Sequence, residues 1–491
     1  MIGLKNVCGL DIRSINMFRV ALAATLVGQI IGYVLVNFGT MFSPETGVLG
    51  NGFAKEYIAT YNGPEWLFQI DSDAGMLGFI GLRFFFLLLF AVGVFPRISA
   101  LFSAALLWFF QIRYNVLFLG WEMFAAVLIS FSVFLPWAKK PSVKMDFEWR
   151  SPLAFVFIFQ IGFIYFYNGI SKNGDRWMDG SAVKFFFAEF DKARPLAHML
   201  IEQDWLMSTL TYYTLFMEVV VVLLLFVPFK NSFFRYVAVL MILSLHWGID
   251  LFVNVGFFKW YATCIGVLLL PASFWVRLPS GIGNLSEKIF PRRVIAIGPN
   301  KLTRILEGLL ALYLVFMILE TNLYQTVTSK TNDRVGLAIK KTGLNRTIKN
   351  LMPAWWPQYS FMRQFWHLYS PNPPSEKGYM QFEFATDNGI QRVSNGKPLP
   401  DGVLYSSMAE QHLLMYLTLR QVRNKREQIA LKSKLMFEID KWNRAEENPK
   451  LYRVDVVVYS YKPTIASDIT SSRPNYTRNV IQSVDIDYGK N

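Results

Sequence analysis

Cysteine is nearly missing from this chain: 491 residues contain only Cys8 and Cys264. Two distant cysteines build neither a disulfide framework nor a zinc ribbon. Histidine is almost as scarce, with only His198, His246, His367 and His412. The sequence has no HExxH pair, no GxGxxG following a strand, no P-loop and no nucleophile elbow, so nucleotide and metal chemistry have no support. No internal repeat or low-complexity tract is present. Charged residues make up 17% of the chain, which is thin for a soluble protein.

What the chain does have is apolar surface. Hydrophobic residues account for 53%, with 44 Phe, 22 Tyr and 14 Trp. The mean hydropathy is +0.30. This is the profile of a polytopic membrane protein with aromatic residues available for interface belts, so the lipid bilayer is the first partner. The net charge of +14 could suggest nucleic acid, but much of the excess falls in short loops between apolar runs. The positive-inside rule accounts for it, and no nucleic-acid partner is expected.

A span needs roughly 20 apolar residues. Candidates are 16–38, 74–95, 98–110, 116–137, 153–170, 206–228, 234–253, 257–276 and 302–322. The first is too long for a signal-peptide core and reads as a retained span. The third is short and runs into a polar break, Gln111-Ile112-Arg113-Tyr114-Asn115. Basic residues cluster in alternate loops: Lys5 and Arg13, Arg97, Lys139 to Arg150, Lys230 with Arg235, and Arg277 to Arg304. Those loops share the cytoplasmic side. The opposite loop, 39–73, carries Glu45, Glu56, Glu65, Asp71 and Asp73 against Lys55. The N-terminus is therefore expected inside, with Lys172, the polar break and the C-terminal region outside.

From about residue 323 the composition turns soluble. Tyr379 to Ala385 and Ile390 to Val393 flank Thr386-Asp387-Asn388-Gly389, a hairpin signal. Residues 407–445 have helical periodicity, and Val454 to Tyr459 alternates like a strand. The expected fold is a membrane all-α bundle of about eight to nine transmembrane helices over 1–322. A small extracytoplasmic α+β domain follows over 323–491.

Ionisable groups within spans are costly and mark candidate sites. They are Arg19, Arg83, Glu122, Glu218, His246, Asp250 and Glu307. Arg19 and Glu307 lie near span ends, where snorkelling is expected. Arg83 and Glu218 suit a structural ion pair. His246 fits either a hydrogen-bonded core position or a proton-transfer role. Lys172 follows the apolar run Phe163 to Ile170 and precedes Trp177 and Gly180. It fits a lysine that snorkels to the headgroups. It also fits a desolvated amine, lowered from about 10.4, that acts as base or nucleophile. Glu122, Lys172 and His246 all fall toward the outer half of the membrane.

The order of these motifs resembles the vitamin K-dependent γ-glutamyl carboxylase superfamily, in particular bacterial horizontally transferred transmembrane domain (HTTM) proteins. The matching segments are Leu10-Asp11-Ile12-Arg13-Ser14 with Phe18-Arg19, then Phe42-Ser43-Pro44-Glu45-Thr46-Gly47-Val48-Leu49. Arg113, Asn115 and Glu122 lie where the family carries a polar cluster. Tyr167-Asn168-Gly169-Ile170-Ser171-Lys172, with Trp177 and Gly180, is similar to the segment holding the carboxylase's catalytic lysine. Glu218 and His246 also fall at family-typical places. Phe365-Trp366-His367-Leu368-Tyr369-Ser370-Pro371-Asn372-Pro373 looks like the opening of the family's extramembrane domain. The likeness covers roughly residues 10–460.

The resemblance implies a reduced vitamin K or menaquinol cofactor, with oxygen and carbon dioxide as co-substrates and no metal. It implies Lys172 as the base that deprotonates the quinol, with Glu122 and His246 orienting or shuttling protons. Arg113 would hold an anionic group and Trp177 would shape the apolar pocket. Asn115, Arg83 and Glu218 complete the candidate substrate- or quinone-binding set. The implied reaction couples quinol epoxidation to carboxylation of glutamate in a secreted peptide or protein. The implied location is a bacterial cytoplasmic membrane. Two departures stand out: Ser171 occupies the place of the first of two adjacent lysines in the animal enzyme, and Glu122 replaces a histidine. The glutamate- and propeptide-binding region is also much reduced. The alternative function is a non-catalytic HTTM protein that binds, matures or exports a secreted partner. The aromatic residues Trp355, Trp356, Phe365, Trp366 and Tyr369 would then serve an interface or the domain's own core.

Overall fold

Leu10 to Ser14 form the hinge on which the first helix starts. Asp11 accepts from the Arg13 backbone N–H at 2.8 Å and from its guanidinium at 2.9 and 2.7 Å, which fixes the turn. Ser14 donates to the Leu270 carbonyl at 2.7 Å and accepts from Trp275 Nε1 at 2.7 Å. Arg235 donates to the carbonyls of Gly9 and Val7 at 2.5 and 2.9 Å. Strand β1 (Gly9–Asp11) pairs antiparallel with β2 (Glu148–Arg150).

The computed structural model describes residues 7–61, 69–117, 120–136, 148–189, 193–277, 301–328, 377–394, 397–398, 413–414, 417, 425–445, 447–461 and 477–486. The expected anchors Trp355, Trp356, Phe365, Trp366 and Tyr369 lie outside these residues, as do the Ser370–Pro373 run and much of the loops 138–150 and 277–304. Two compact units emerge. One contains 1–27, 85–106 and 119–373; the other contains 28–84, 107–118 and 374–491.

The chain is mostly helical, with a small sheet domain, and five helices are long and apolar enough to cross a membrane. They are Ile12–Leu35, Asp73–Val92, Pro152–Ser171, Asp204–Leu225 and Asn231–Phe252. The first is α1 (Ile12–Gln29), continued by a wider-wound turn over Ile30–Leu35. After α2 (Asn51–Tyr61) comes α3 (Asp73–Val92). The expected short segment 98–110 is longer than the apolar run suggests. Helix α4 (Pro96–Arg113) continues through Gln111 into the polar break, and a single tight turn follows at Asn115–Leu117. Segment 116–137 forms α5 (Gly120–Ser132). Next come α6 (Pro152–Ser171), the short helices α7 (Asp175–Met178), α8 (Ala182–Glu189) and α9 (Pro195–Leu200), then α10 (Asp204–Leu225) and α11 (Asn231–Phe252). Segment 257–276 divides into α12 (Phe258–Leu269) and α13 (Ala272–Arg277), and 302–322 lies within α14 (Lys301–Thr328).

Helix α6 is the enclosed one. Of its apolar stretch 72% is buried, against 28% for α3 and α10. Phe157 on α6 receives edge contacts from Phe18 and Phe131 at 6.0 and 5.2 Å. Such pairs contribute about 0.5–1.5 kcal/mol beyond area burial. By contrast Leu82, Phe85 and Leu88 on α3, and Phe216 and Leu223 on α10, stay exposed, as a lipid-facing surface would. The short helices α8 and α9 pack Phe187, Ala197 and Ile201 against Met207 and Val253 at one end of α10 and α11.

One of the two charges near span ends behaves differently from expectation. Arg19 does not snorkel: it is 3% exposed, and its guanidinium fills the space beside Gly93, whose φ is +81°. Glu307 accepts a hydrogen bond from the Ser151 hydroxyl at 2.8 Å.

In the second unit the Phe42 to Leu49 motif is tied to Asp73 by hydrogen bonds. Ser43 donates to Asp73 Oδ1 at 2.5 Å, and the Asp73 backbone N–H donates to Glu45 Oε1 at 3.0 Å. The sheet has the order β5-β4-β3-β6-β7: β3 is Lys377–Thr386, β4 Gly389–Ser394, β5 Lys397–Pro398, β6 Leu451–Tyr461 and β7 Thr477–Asp485. The expected hairpin is β3–β4, with Thr386 opposite Gly389 and Gly389 at φ +90°. Of the expected helical stretch 407–445, α15 (Lys425–Arg444) is described in full; it sets Trp442 against Phe384, ring centroids 5.0 Å apart.

Candidate active site at the end of a buried helix

Helix α6 begins on a strong cap. Ser151 Oγ accepts from the Leu153 N–H at 3.2 Å, and Pro152 occupies the first turn, where its missing donor costs nothing. The helix then presents Gly162, Tyr165, Asn168, Gly169 and Lys172 along one face, three, four or seven residues apart. The two glycines let α10 come close. A Cβ on Gly169 would stand 3.0 Å from Glu218 Cβ, and one on Gly162 would stand 2.9 Å from Val222 Cγ2.

That close approach delivers Lys172 to Glu218. Lys172 Nζ donates to Glu218 Oε1 at 2.5 Å and to Oε2 at 2.6 Å. Asn168 Nδ2 donates to Oε1 at 2.5 Å. Both members of the pair have side chains 4% exposed. Lys172 therefore does not snorkel; it is held inside the protein. Its ammonium lies 5.2 Å from the ring centroid of Trp177, which α7 positions one turn beyond the end of α6. The expected ion pair of Glu218 with Arg83 is replaced by this one, because the glycine seam puts Glu218 against α6. Arg83, in the other unit, has its guanidinium 4.7 Å over the ring of Phe110.

A second pair lies on the same face of α6. The Tyr165 hydroxyl and His246 Nε2 are 3.0 Å apart. Phe258 stacks on the His246 ring at 5.8 Å, and Phe124 meets it edge-on at 6.2 Å. The structure thus joins Lys172, Glu218, His246 and Trp177 through α6. Glu122 is buried in the first turn of α5, two residues before Phe124. Arg113 belongs to the other unit, where it donates to Asn51 Oδ1 at 3.4 Å. Asn115 starts the tight turn after α4, and its side chain lies outside the described atoms. Asp250, also flagged as an intramembrane acid, is matched by Lys259 at 2.6 Å and Arg194 at 3.3 Å.

Tyr165, Asn168, Phe124 and Phe258 were not singled out from the sequence. Counting back from Lys172 by helical periods finds the first two; nothing local marks the aromatic pair. Chemically the site offers a lysine–carboxylate pair, a tyrosine–histidine pair, and aromatic rings packed around the histidine. Among the described residues no group of three or more His, Cys, Asp or Glu stands together to hold a metal ion. Compared with protein-family models, curated proteins and solved structures, the chain matches none.

Proposed function

We propose that this chain is a membrane enzyme resembling the vitamin K-dependent carboxylase, using Lys172 as the base toward a reduced naphthoquinone. The observation that carries the reading is the buried Lys172–Glu218 pair, held by Asn168 and faced by Trp177. A proton exchanged across a 2.5 Å contact turns the ion pair into a neutral amine and a neutral acid. The neutral amine accepts a proton from a weakly acidic hydroxyl. The ammonium that results lies against the neutral Glu218 carboxyl, whose carbonyl oxygen still accepts from it, and against the Trp177 ring, while the negative charge stays on the oxygen that lost the proton. Asn168 keeps the Glu218 carboxyl oriented, and the Tyr165–His246 pair offers a second proton path on the same helix face. Phe124, Phe258 and Tyr165 surround the His246 ring and Trp177 faces Lys172, which makes the neighbourhood of the base apolar. Such a quinol, when bound, supplies with oxygen the strong base that glutamate carboxylation by carbon dioxide needs, and a site that excludes water preserves it. In this reading eight to nine helical segments cross the membrane, the N-terminus is cytoplasmic, and Lys172 and the sheet domain face outward.

The test compares cells with and without the chain. Mass spectrometry of membrane lipids should find quinone epoxide, and secreted proteins should carry glutamate heavier by one carbon dioxide. Lys172→Arg keeps a cation for Glu218 but holds its proton, so both products should disappear while the protein stays folded. If the wild-type chain yields neither product, the rival stands: a non-catalytic membrane protein that binds, matures or exports a secreted partner.

A further inference from the structure

On the side of the sheet opposite Trp442, ten residues line a cup of about 950 Å³. Its floor and its rim carry opposite charge. Glu383 on β3 and Asp455 on β6 are cross-strand neighbours, and their side chains are 5% and 8% exposed. Arg392, Arg453 and Arg478 rise around them with side chains 50%, 47% and 42% exposed. Each arginine is tied to the floor. Arg478 Nη2 donates to Glu383 Oε2 at 2.6 Å, Arg453 Nη2 donates to Asp455 Oδ2 at 3.1 Å, and Arg392 Nη2 donates to the Tyr459 hydroxyl at 3.2 Å. Tyr459 in turn donates to Glu383, and Ser483 donates to Asp455 Oδ1 at 2.7 Å.

Burying two carboxylates is costly unless they are paired. Here they hold three guanidinium groups in place with donors still turned to solvent. Three cations over two anions leave the mouth positive. A carboxylate ligand has two oxygens and can bridge two of the three arginines. A phosphate ester has three terminal oxygens, one for each fork, and guanidinium geometry suits them. Ile390 and Val480 flank the cup with side chains exposed, offering apolar contact to the carbon skeleton of the ester.

We propose that this cup binds a phosphate monoester, taken from a lipid headgroup or from a soluble organic phosphate. The site is independent of the Lys172–Glu218 pair, so it stands or falls separately from the function proposed above.

The full chain in phosphatidylcholine nanodiscs should bind glycerol phosphate in a salt-sensitive manner. Nanodiscs containing phosphatidic acid test the lipid source directly, read as protection of Arg392, Arg453 and Arg478 from phenylglyoxal. Binding of the soluble ester, or binding seen only with phosphatidic acid, supports the proposal and identifies the source. The double variant Arg392→Gln/Arg453→Gln should weaken binding at least about tenfold, since each lost charge-assisted bond removes a strong contact. A measurement on the wild type needs no variant: bound ester should protect Arg392, Arg453 and Arg478 from phenylglyoxal. No binding of either phosphate, unchanged affinity in a folded double variant, or unprotected arginines overturns the proposal. So does binding of a glutamate-rich peptide with no phosphate binding.

Discussion

Lys172 and Glu218 each solve the other's problem. Removing one partner of a buried pair leaves an uncompensated charge and costs about 3–5 kcal/mol, whereas replacing both with apolar groups of similar size is near neutral. Lys172→Met and Glu218→Leu should therefore each lower the melting temperature in detergent. The double variant should melt close to the wild type yet form no epoxide. A double variant as unstable as the singles would show that the pair is not what the site is built around. Glu383 gives a test by pH outside the membrane helices. Burial raises its pKa, but the hydrogen bonds from Arg478 and Tyr459 and the charges of Arg478 and Arg392 outweigh that and hold it below the ordinary value. Its stabilising contribution is then present above the unfolded carboxyl's pKa of about 4.3 and is lost as the pH falls through the lower folded value. Hydrogen exchange of β3 and β6, corrected for intrinsic rates, should lose protection over that acid window. Glu383→Gln should remove that step. At this scale the sequence was informative about which residues matter, because Lys172, Glu218 and His246 are conspicuous inside apolar runs. It was silent about their partners: Lys172 and Glu218 are 46 positions apart, and the sequence alone matches the acid with Arg83.

The glycine seam on α6 decides whether the pair can form at all. Gly169 faces Glu218 Cβ and Val219 Cγ2, at 3.0 and 3.2 Å from where its own Cβ would stand. Neither is the free end of a long side chain that could swing away. Gly169→Leu should push α6 and α10 apart, lengthen the Lys172–Glu218 contact and abolish activity. Gly248→Ala, with nothing within 4 Å of the new Cβ, should leave activity unchanged. Equal activity in the two variants would remove the seam from the argument. The helices themselves were legible as apolar runs, and their ends were less so. Segment 98–110 grew into Pro96–Arg113 because a helix can carry Gln111 and Arg113 in its last turn when protein rather than lipid covers them. The seam was hidden because glycine in an apolar helix reads as ordinary composition until the neighbouring helix is known.

For the whole molecule, composition showed a change near residue 323 but not which earlier residues join the sheet domain. The second unit gathers 28–84 and 107–118 with everything from 374 onward. Its contacts are specific: Lys432 on α15 pairs with Glu56 on α2 at 3.1 Å, and Ser433 donates to the Val48 carbonyl. Partners this far apart in the chain leave no local signal. They do carry a topological consequence. Residues 48–56 and 432–433 must lie on the same side of any membrane, so an even number of crossings separates them. The orientation expected from the basic loops, with the acidic segment 39–73 and the C-terminal region both outside, has the same even parity. Two labelling experiments check the arrangement. A periplasmic-type reporter fused after Asn491 should be active, and a cytoplasmic one silent. Glu56→Cys and Lys432→Cys, each in a background without Cys8 and Cys264, should both react with an impermeant maleimide applied from outside. Reaction of both only from the cytoplasmic face would invert the orientation and move Lys172 with it. Reaction from opposite faces would contradict the shared unit itself, since a 3.1 Å ion pair cannot straddle a bilayer.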